Sequence, residues 1–505
     1  MRITSLAALL VPDIAFVGAV ATLFYSVVLF QGYQKFFLDS DAGWHIRAGE
    51  RMLEERSLPR TEPFSFSMQG APWFAWEWGA DVIIGTIHRR WGLSGVVFFY
   101  GSAIAAGVWL WFRLNWVVGG NFLLACLFAA PMISSTTLHW LARPHLLSWL
   151  FLLGSVTFAE RLRRDPRVTV ARVIGVAVLS CLWANIHGSF FFGAGIALVY
   201  AFGIVVSNVL WDAPRTNWRP FVVLAAVSGA ATLINPYGWN LHIHVFRYLT
   251  DTALLAKIGE FQSFDFHTGG AGSVMTVLAI AALGGVLALV QKDLPVFFLS
   301  VLLIGAALHA ARGLPLVALL ILPLANGAIT KSLNGWQGLR LNVRRAIAEF
   351  LAYSDRLRAI DSTASGLIWT PLVAVFVLLF LHSHAIAAQT GFPAKEFPVA
   401  AASAIERLPA EARILAPDKF GGYLIYRFDG ARKVFFDGRS DLYGAEFLKQ
   451  CGRLMQARPG WQKIVETYRF DDALLPNDYP LIPALEQTGW KPVYHDSVCT
   501  LLKRN

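Results

Sequence analysis

Runs of apolar residues, each close to the length a helix needs to cross a bilayer, recur along most of this chain. They lie near 14–31, 92–112, 121–138, 141–159, 172–187, 189–211, 220–234, 272–290, 294–311, 313–329 and 367–387, about eleven candidate spans in all. Each run is continuous rather than alternating, which is the pattern of membrane helices and not of barrel strands. Hydrophobic residues make up 56% of the 505 positions and charged residues 15%, where an average soluble domain carries roughly 25% charge. With a mean hydropathy of +0.51, the chain has more apolar surface than one globule can hide. A soluble enzyme, a disordered chain and a collagen-like rod are all excluded. The expected class is a polytopic α-helical membrane protein.

The net charge of +10 would suggest nucleic acid in a soluble protein. Its distribution points elsewhere. With the N-terminus placed in the cytoplasm, the inner segments hold Arg2, Arg113, Arg161, Arg163, Arg164, Arg167, Arg172, Arg215, Lys292, Lys331, Arg344 and Arg345. That is the positive-inside pattern, so the charge reports topology and no nucleic-acid partner is expected. Arg2 precedes a first run too long for a signal peptide, which reads as a retained anchor. All 12 histidines then fall on the outer side or at outer helix ends. A polar site opening outward would collect them, although short, arginine-filled inner loops would give the same bias.

Three outer segments are long enough to carry function. The first, near 32–91, contains Asp39-Ser40-Asp41 followed by 42–56, where Ala42, Ile46, Gly49 and Leu53 recur at helical spacing opposite Arg47 and Glu50. This predicts an amphipathic helix at the membrane interface, N-capped by Asp41. Trp73, Trp76 and Trp78 surround Glu77 and read singly as an interfacial aromatic belt. The second segment, near 235–271, begins Asn235-Pro-Tyr237-Gly-Trp. The third is the tail, 389–505, whose composition becomes that of a soluble domain. Strand-like runs at 413–416, 433–436, 473–475, 492–494 and 498–502 alternate there with helical stretches at 422–427, 445–456, 461–468 and 481–487, which predicts a small α/β domain. Cys451 and Cys499 in this tail are candidates for pairing in an oxidising compartment.

Polar groups gather at the outer ends of the spans. They are His139 with Arg143 and His145, Asn185 with His187, Asn235 with Tyr237, and Arg312. Ionisable groups are costly in hydrocarbon, so a shared water-filled cavity is expected. Arg143 and Arg312 suit a phosphate, since a guanidinium offers forked donors and keeps its charge. A carboxylate of the Asp39/Asp41 pair, set just after the first span, is placed to deprotonate an incoming hydroxyl. Asp39 is the preferred base, because Asp41 already fits the helix cap.

These residues also carry a resemblance. The segments Asp39-Ser-Asp-Ala-Gly-Trp-His-Ile-Arg-Ala-Gly-Glu, Pro59-Arg-Thr-Glu-Pro-Phe-Ser-Phe, Trp76-Glu-Trp, Arg143-Pro-His, Trp183-Ala-Asn-Ile-His-Gly, Asn235-Pro-Tyr-Gly-Trp and Ala311-Arg-Gly-Leu-Pro resemble the GT-C glycosyltransferase superfamily. The likeness is to bacterial members of the protein-mannosyltransferase and lipid A aminoarabinose transferase type. Gly421-Gly-Tyr-Leu and Phe436-Asp-Gly-Arg-Ser-Asp-Leu-Tyr in the tail resemble a group of bacterial GT-C-like membrane proteins. The resemblance implies an inverting transfer outside the cytoplasmic (inner) membrane, from a polyprenyl-phosphate sugar to a glycan, lipid or protein acceptor. It places the essential acid at Asp39 or Asp41, in D-x-D rather than the D-E pair of mannosyltransferases. His45, Arg47, Glu77, His139, Arg143, His145, Asn185, His187, Asn235, Tyr237 and Arg312 are the expected substrate-binding set, and a divalent metal is an open option. The rival from another class is a transporter, flippase or assembly factor for surface polysaccharide. Such a protein would show related halves and charged helices at mid-membrane, which this sequence lacks.

Overall fold

The computed structural model describes residues 9–211, 216–336, 338 and 340–505; Arg2 and Arg215 lie outside the described residues. All eleven apolar runs fall on helices. Five of these, Trp78–Val117, Phe122–His139, Gly188–Leu210, Ala271–Val290 and Ala311–Gly335, are long and apolar enough to cross a membrane. A sixth is reached if Ile14–Val27 and Leu29–Lys35, bent by 70°, form one broken span, and four shorter apolar helices add to the bundle. The expectation of about eleven full spans is therefore finer than helix length and composition support. His145–Arg164, for example, ends in Arg161, Arg163 and Arg164.

At the arginine-rich end, side chains close the helix starts. Asp13, Asn121, Thr169 and Asp293 each accept a backbone N–H three residues on, which satisfies donors that a helix start leaves open. Buried amides lock the same end: Asn326 Nδ2 donates to Asn115 Oδ1 at 2.8 Å, and the Asn121 N–H donates to Asn326 Oδ1 at 3.0 Å. Deeper in the bundle, the helix after Arg312 widens into a π segment at Val317–Ile321. A π turn leaves carbonyls without their usual partner, and the Trp111 indole donates to that of Ala318 at 3.1 Å.

The opposite end carries the loops and the tail. Four strands, β1 (Ile414–Leu415), β2 (Asp472–Pro476), β3 (Lys491–His495) and β4 (Cys499–Lys503), form a sheet in the order β1-β2-β4-β3. β1 runs parallel to β2, and β4 is antiparallel to both β2 and β3. Side chains alternate between two faces, as strand geometry requires. Leu415, Ala473, Leu475 and Leu502 pack with the helices Ser440–Met455, Trp461–Tyr468 and Leu481–Gln487. Ile414, Leu474 and Leu501 pack with Trp44, Ala48, Met52, Phe64 and Trp73 from the first outer segment. The predicted α/β tail is present, but one of its faces is covered by the helix that carries the acidic motif. Residues 433–436, expected as a strand, instead make a single bridge, Val434 to Ser65. Val434 exchanges backbone hydrogen bonds with Phe64 and Phe66 at 2.9 and 3.0 Å. Cys451 and Cys499 are both buried free thiols in different apolar clusters, so the suggested pairing is not present.

The acidic-motif helix is Asp41–Glu55, and it departs from expectation in two ways. It is not an interface helix: ten of its residues, from Asp41 to Met52, are buried. Nor does Asp41 cap it, since Ser40 holds the N-cap position and no side chain caps there. The helix Asp418–Arg427 crosses it at Gly43 and Gly422. A Cβ on Gly43 would run into the Gly422 carbonyl, and one on Gly422 into the carbonyl of Ser40. Glycine at both positions lets two backbones touch.

Candidate active site

A cavity of about 280 Å³ opens where the loops, the bundle and the tail meet. Asp41, Trp44 and His45 line it from the acidic-motif helix, Trp76 and Glu77 from the turn before Trp78–Val117, and Asp81 from the first turn of that helix. His139, Arg143, His145, His187, Glu260 and Arg312 come from four other turns, and Gly438, Arg439, Ser440 and Asp441 from the tail. Leu152, Phe191, Phe192, Leu249 and Leu316 give it an apolar wall on the bundle side.

One guanidinium organises the acidic side. Arg143 Nη1 lies 2.6 Å from Asp39 Oδ2 and 2.8 Å from Glu260 Oε1, while Nη2 lies 3.1 Å from Asp41 Oδ2. Asp39 Oδ1 accepts the backbone N–H of Asp41 at 2.9 Å, and Asp41 Oδ1 accepts the Trp44 indole N–H at 3.1 Å. Burial, aided by the charge of Asp39 and opposed by Arg143, pushes the Asp41 carboxyl up to about 8. Burial alone would also raise Glu260, but Arg143 and Arg312 outweigh it and hold that carboxyl well below the usual range. With a proton on Asp41, two carboxylates face two guanidinium groups. Gly438 of the tail packs directly on this group, since a Cβ there would strike the Asp41 carboxylate.

A second set flanks it. His45 Nδ1 sits 2.6 Å from Asp81 Oδ1, and its Nε2 faces Glu77 at 3.8 Å. Glu77 also faces His187 Nε2 at 3.5 Å. Burial lowers His45 to about 4, against the pull of Glu77, and raises Glu77 to about 7. The histidine is therefore neutral at neutral pH, and Glu77 is poised to take or give a proton.

Of the residues expected from sequence, Asp41, His45, Glu77, His139, Arg143, His145, His187 and Arg312 converge on the cavity. Asp39 reaches it only through Arg143. Arg47 does not belong: it pairs with Glu50 and Asp429, donates to the Tyr426 carbonyl at 2.8 and 3.0 Å and stacks on the Tyr426 ring, clamping the tail to the acidic-motif helix. Asn185 ties the Trp78 indole, at 2.9 Å, to the Cys181 and Ile234 carbonyls. Asn235 folds its own turn through Thr232, Tyr237 and Gly238. Tyr237 stacks on Phe74 with ring centres 3.8 Å apart. All three hold neighbouring turns together and do not line the cavity. Nor do the three tryptophans form a belt. Trp73 is buried under the Arg439 guanidinium at 4.8 Å, and Trp76 lines the cavity against Tyr248 at 5.5 Å.

Glu260 and the tail segment 438–441 were not anticipated as site residues. Glu260 carried no motif. Phe436-Asp-Gly-Arg-Ser-Asp was visible as a pattern, and the structure shows why it is polar. Arg439 is buried between Asp437, at 2.6 Å, and Glu62, at 2.7 Å, and this anchors the loop that presents Gly438, Ser440 and Asp441. Asp441 meets His244 at 3.1 Å, and Ser440 meets the Tyr248 hydroxyl at 3.4 Å.

No protein-family model matches the chain, and no curated protein matches it. Solved structures do. The Archaeoglobus fulgidus oligosaccharyltransferase AglB, in complex with an inhibitory peptide and a dolichol-phosphate, is similar at a TM-score of 0.58 and 11% identity, over 92% of this chain and 69% of that one. The A. fulgidus oligosaccharyltransferase tethered to an acceptor peptide with the NVT sequon by a disulfide gives 0.57 and 11%, over 92% and 68%. A complex of the A. fulgidus enzyme with Zn and sulfate gives 0.52 and 10%, over 92% and 68%. The chain thus shares the fold of these oligosaccharyltransferases. A divalent cation, as in the zinc complex, does not fit the residues here. Among the described residues no three His, Cys, Asp or Glu side chains converge as metal ligands, and the carboxylates that come nearest to doing so are bound by Arg143.

Proposed function

We propose that this chain is an inverting glycosyltransferase of the bacterial cytoplasmic membrane, acting on the outer face, that moves a sugar from a polyprenyl phosphate to an acceptor on a glycan, lipid or protein. The observation that carries the reading is a buried carboxylate, Asp41, set between a guanidinium cluster and a cavity with one apolar and one polar wall, on a GT-C fold. A prenyl chain suits the wall of Leu152, Phe191, Phe192, Leu249 and Leu316. Arg312 suits the phosphate, because among the described residues its one ion pair is a 3.5 Å contact from Nε to Glu260, which leaves its Nη donors to face the cavity. The dolichol-phosphate and acceptor peptide bound by similar proteins agree with a lipid-linked donor and a separate acceptor.

The chemistry follows from these positions. The acceptor oxygen attacks the anomeric carbon on the face opposite the phosphate, and its proton passes to Asp41. The bond from that carbon to the phosphate oxygen breaks as the new glycosidic bond forms, so configuration inverts. Negative charge grows on the departing phosphate, where Arg312 stabilises it in a site of low dielectric. Asp41 is the base in this reading rather than Asp39. Both carboxylates touch Arg143, but Asp41 lines the cavity and Asp39 does not. A carboxyl whose proton affinity is raised toward the working pH is also the better base.

The test is mass spectrometry of envelope glycans and glycolipids in a strain lacking the protein. One glycan or glycolipid should lose a sugar, and wild-type protein should restore it where Asp41→Asn does not. An unaltered envelope, or full restoration by Asp41→Asn, contradicts the reading.

A further inference from the structure

Two turns far apart in the sequence lock together beside the cavity. One is Trp76-Glu77-Trp78-Gly79 and the other Asn185-Ile186-His187-Gly188. The Trp78 indole donates to Asn185 Oδ1 at 2.9 Å. A Cβ on Gly79 would strike the Asn185 carbonyl, and one on Gly188 the Trp76 ring, so glycine at both places lets the turns touch. The Glu77 carboxylate and the His187 ring are thereby held opposite each other with Trp76 alongside, and all three line the cavity.

The bonds around this pair leave its inner atoms unbonded. Asp81 holds His45 Nδ1 at 2.6 Å, and the Ser189 backbone N–H donates to His187 Nδ1 at 3.2 Å. Each ring therefore turns Nε2 toward Glu77, at 3.8 and 3.5 Å, both longer than a hydrogen bond. Because Nδ1 of His187 accepts, its neutral ring carries the proton on Nε2. Among the described residues, neither Nε2 nor either Glu77 carboxylate oxygen has a hydrogen-bond partner, although the His45 side chain is only 3% exposed. Polar atoms buried this far are costly unless a ligand or water bonds them. Their chemistry decides which ligand. A phosphate is repelled by the carboxylate and is better served by Arg312, which lines the same cavity. A hydroxyl suits both partners, since it donates to a carboxylate oxygen and accepts from an imidazole N–H. A sugar brings several hydroxyls on its rim and an apolar C–H face that can pack on an aromatic ring.

We infer that Glu77, His187 and His45 form the subsite for the sugar being transferred: Glu77 accepts from its hydroxyls, His187 Nε2 donates to one of them, and Trp76 packs against the ring. The subsite adds affinity for the sugar and none for the polyprenyl phosphate. That the sugar is the one transferred rests on the transferase reading above; that the pair binds sugar hydroxyls does not.

The experiment uses the full chain in lauryldimethylamine oxide, a detergent without a sugar headgroup. The probes are undecaprenyl phosphate, bare or bearing glucose, galactose, mannose or N-acetylglucosamine, and Kd is read by displacement of radiolabelled undecaprenyl phosphate. Wild type should bind at least one sugar-bearing probe more tightly than the bare one. Glu77→Gln should lose about 10–100-fold for that probe, as loss of hydrogen bonds to a charged group does, and keep wild-type affinity for undecaprenyl phosphate. His187→Asn keeps an acceptor for the Ser189 N–H but lacks the Nε2 donor. It should show the same selective loss, and it decides the matter if Glu77→Gln does not fold. Three results overturn the inference: equal loss for bare and sugar-bearing probes, unchanged affinities in the folded variants, or a wild type that binds undecaprenyl phosphate and gains nothing from any of the sugars. Methyl glycosides of the same sugars, followed by saturation-transfer NMR, read the subsite without lipid. If no undecaprenyl probe binds at all, the transferase reading fails. The subsite then stands if wild type gives glycoside signals that Glu77→Gln abolishes, and falls if it gives none or they persist.

Discussion

Asp39 and Asp41 are two residues apart, and sequence context favours Asp39 as base where the proposed mechanism uses Asp41. Reading Asp41 as a helix cap was reasonable on spacing, because Asp is a favoured cap. The structure gives the local bond to Asp39, which accepts the Asp41 N–H, and turns Asp41 onto Arg143 and Trp44. Nothing in a linear pattern separates the two, since Gly438, which packs on Asp41, lies far along the chain. With burial pushing Asp41 up to about 8, the base must lose its proton before it acts. Transfer, measured as kcat/KM, should therefore rise about tenfold per pH unit below a midpoint near that value and level off above it. A midpoint near 7 that survives Asp41→Asn would point to Glu77. The arginines separate in the same way. Arg312→Ala should weaken binding of polyprenyl-phosphate donor while the protein still folds, and Arg312→Lys should recover only part, because an ammonium lacks the fork. Unchanged donor binding in Arg312→Ala would make it an interface anchor.

At the scale of elements, the sequence was readable wherever periodicity was local. The helices expected at 461–468 and 481–487 are Trp461–Tyr468 and Leu481–Gln487, and four of the five expected strands form. The fifth, 433–436, failed because its partner is a loop residue, Ser65, rather than another strand, and such a contact leaves no period in the sequence. The acidic-motif helix was foreseen in extent but not in setting. Its polar residues face Asp81, Tyr426 and Arg143, so a charged face that reads as solvated is in fact paired with both the bundle and the tail. That packing depends on the Gly43 and Gly422 contact. Gly43→Ala or Gly422→Ala should destabilise the protein by about 1–3 kcal/mol, as overpacking does, read as a lower midpoint for thermal unfolding in detergent. Either variant should reduce transfer too, because the same contact sets Asp41 against Gly438. An alanine variant with unaltered midpoint would mean the two helices are free to move apart.

For the whole molecule, hydropathy made the membrane class legible, and histidine and arginine placement indicated which helix ends carry the site. The cavity itself was only half legible. Residues in turns announced themselves as polar groups at the ends of apolar runs, while Glu260 and the wall from Gly438 to Asp441 lie in segments of mixed polarity with no such boundary. Such residues acquire meaning only when the tail folds back on the first loop, through Arg439 between Glu62 and Asp437. The charge asymmetry predicts a tail outside the cytoplasm. A phosphatase fused after Asn505 should be active and a fluorescent protein there dark; the opposite pair of results would invert the topology and put the cavity on the cytoplasmic face.

The central claim is that Asp41 removes the acceptor proton, and transfer of radiolabelled sugar from purified polyprenyl-phosphate donor tests it most directly. Asp41→Asn should bind donor and unfold at the wild-type temperature yet transfer about 10²–10⁴-fold more slowly, with Asp39→Asn less impaired. Near-normal turnover by folded Asp41→Asn protein would contradict the mechanism outright.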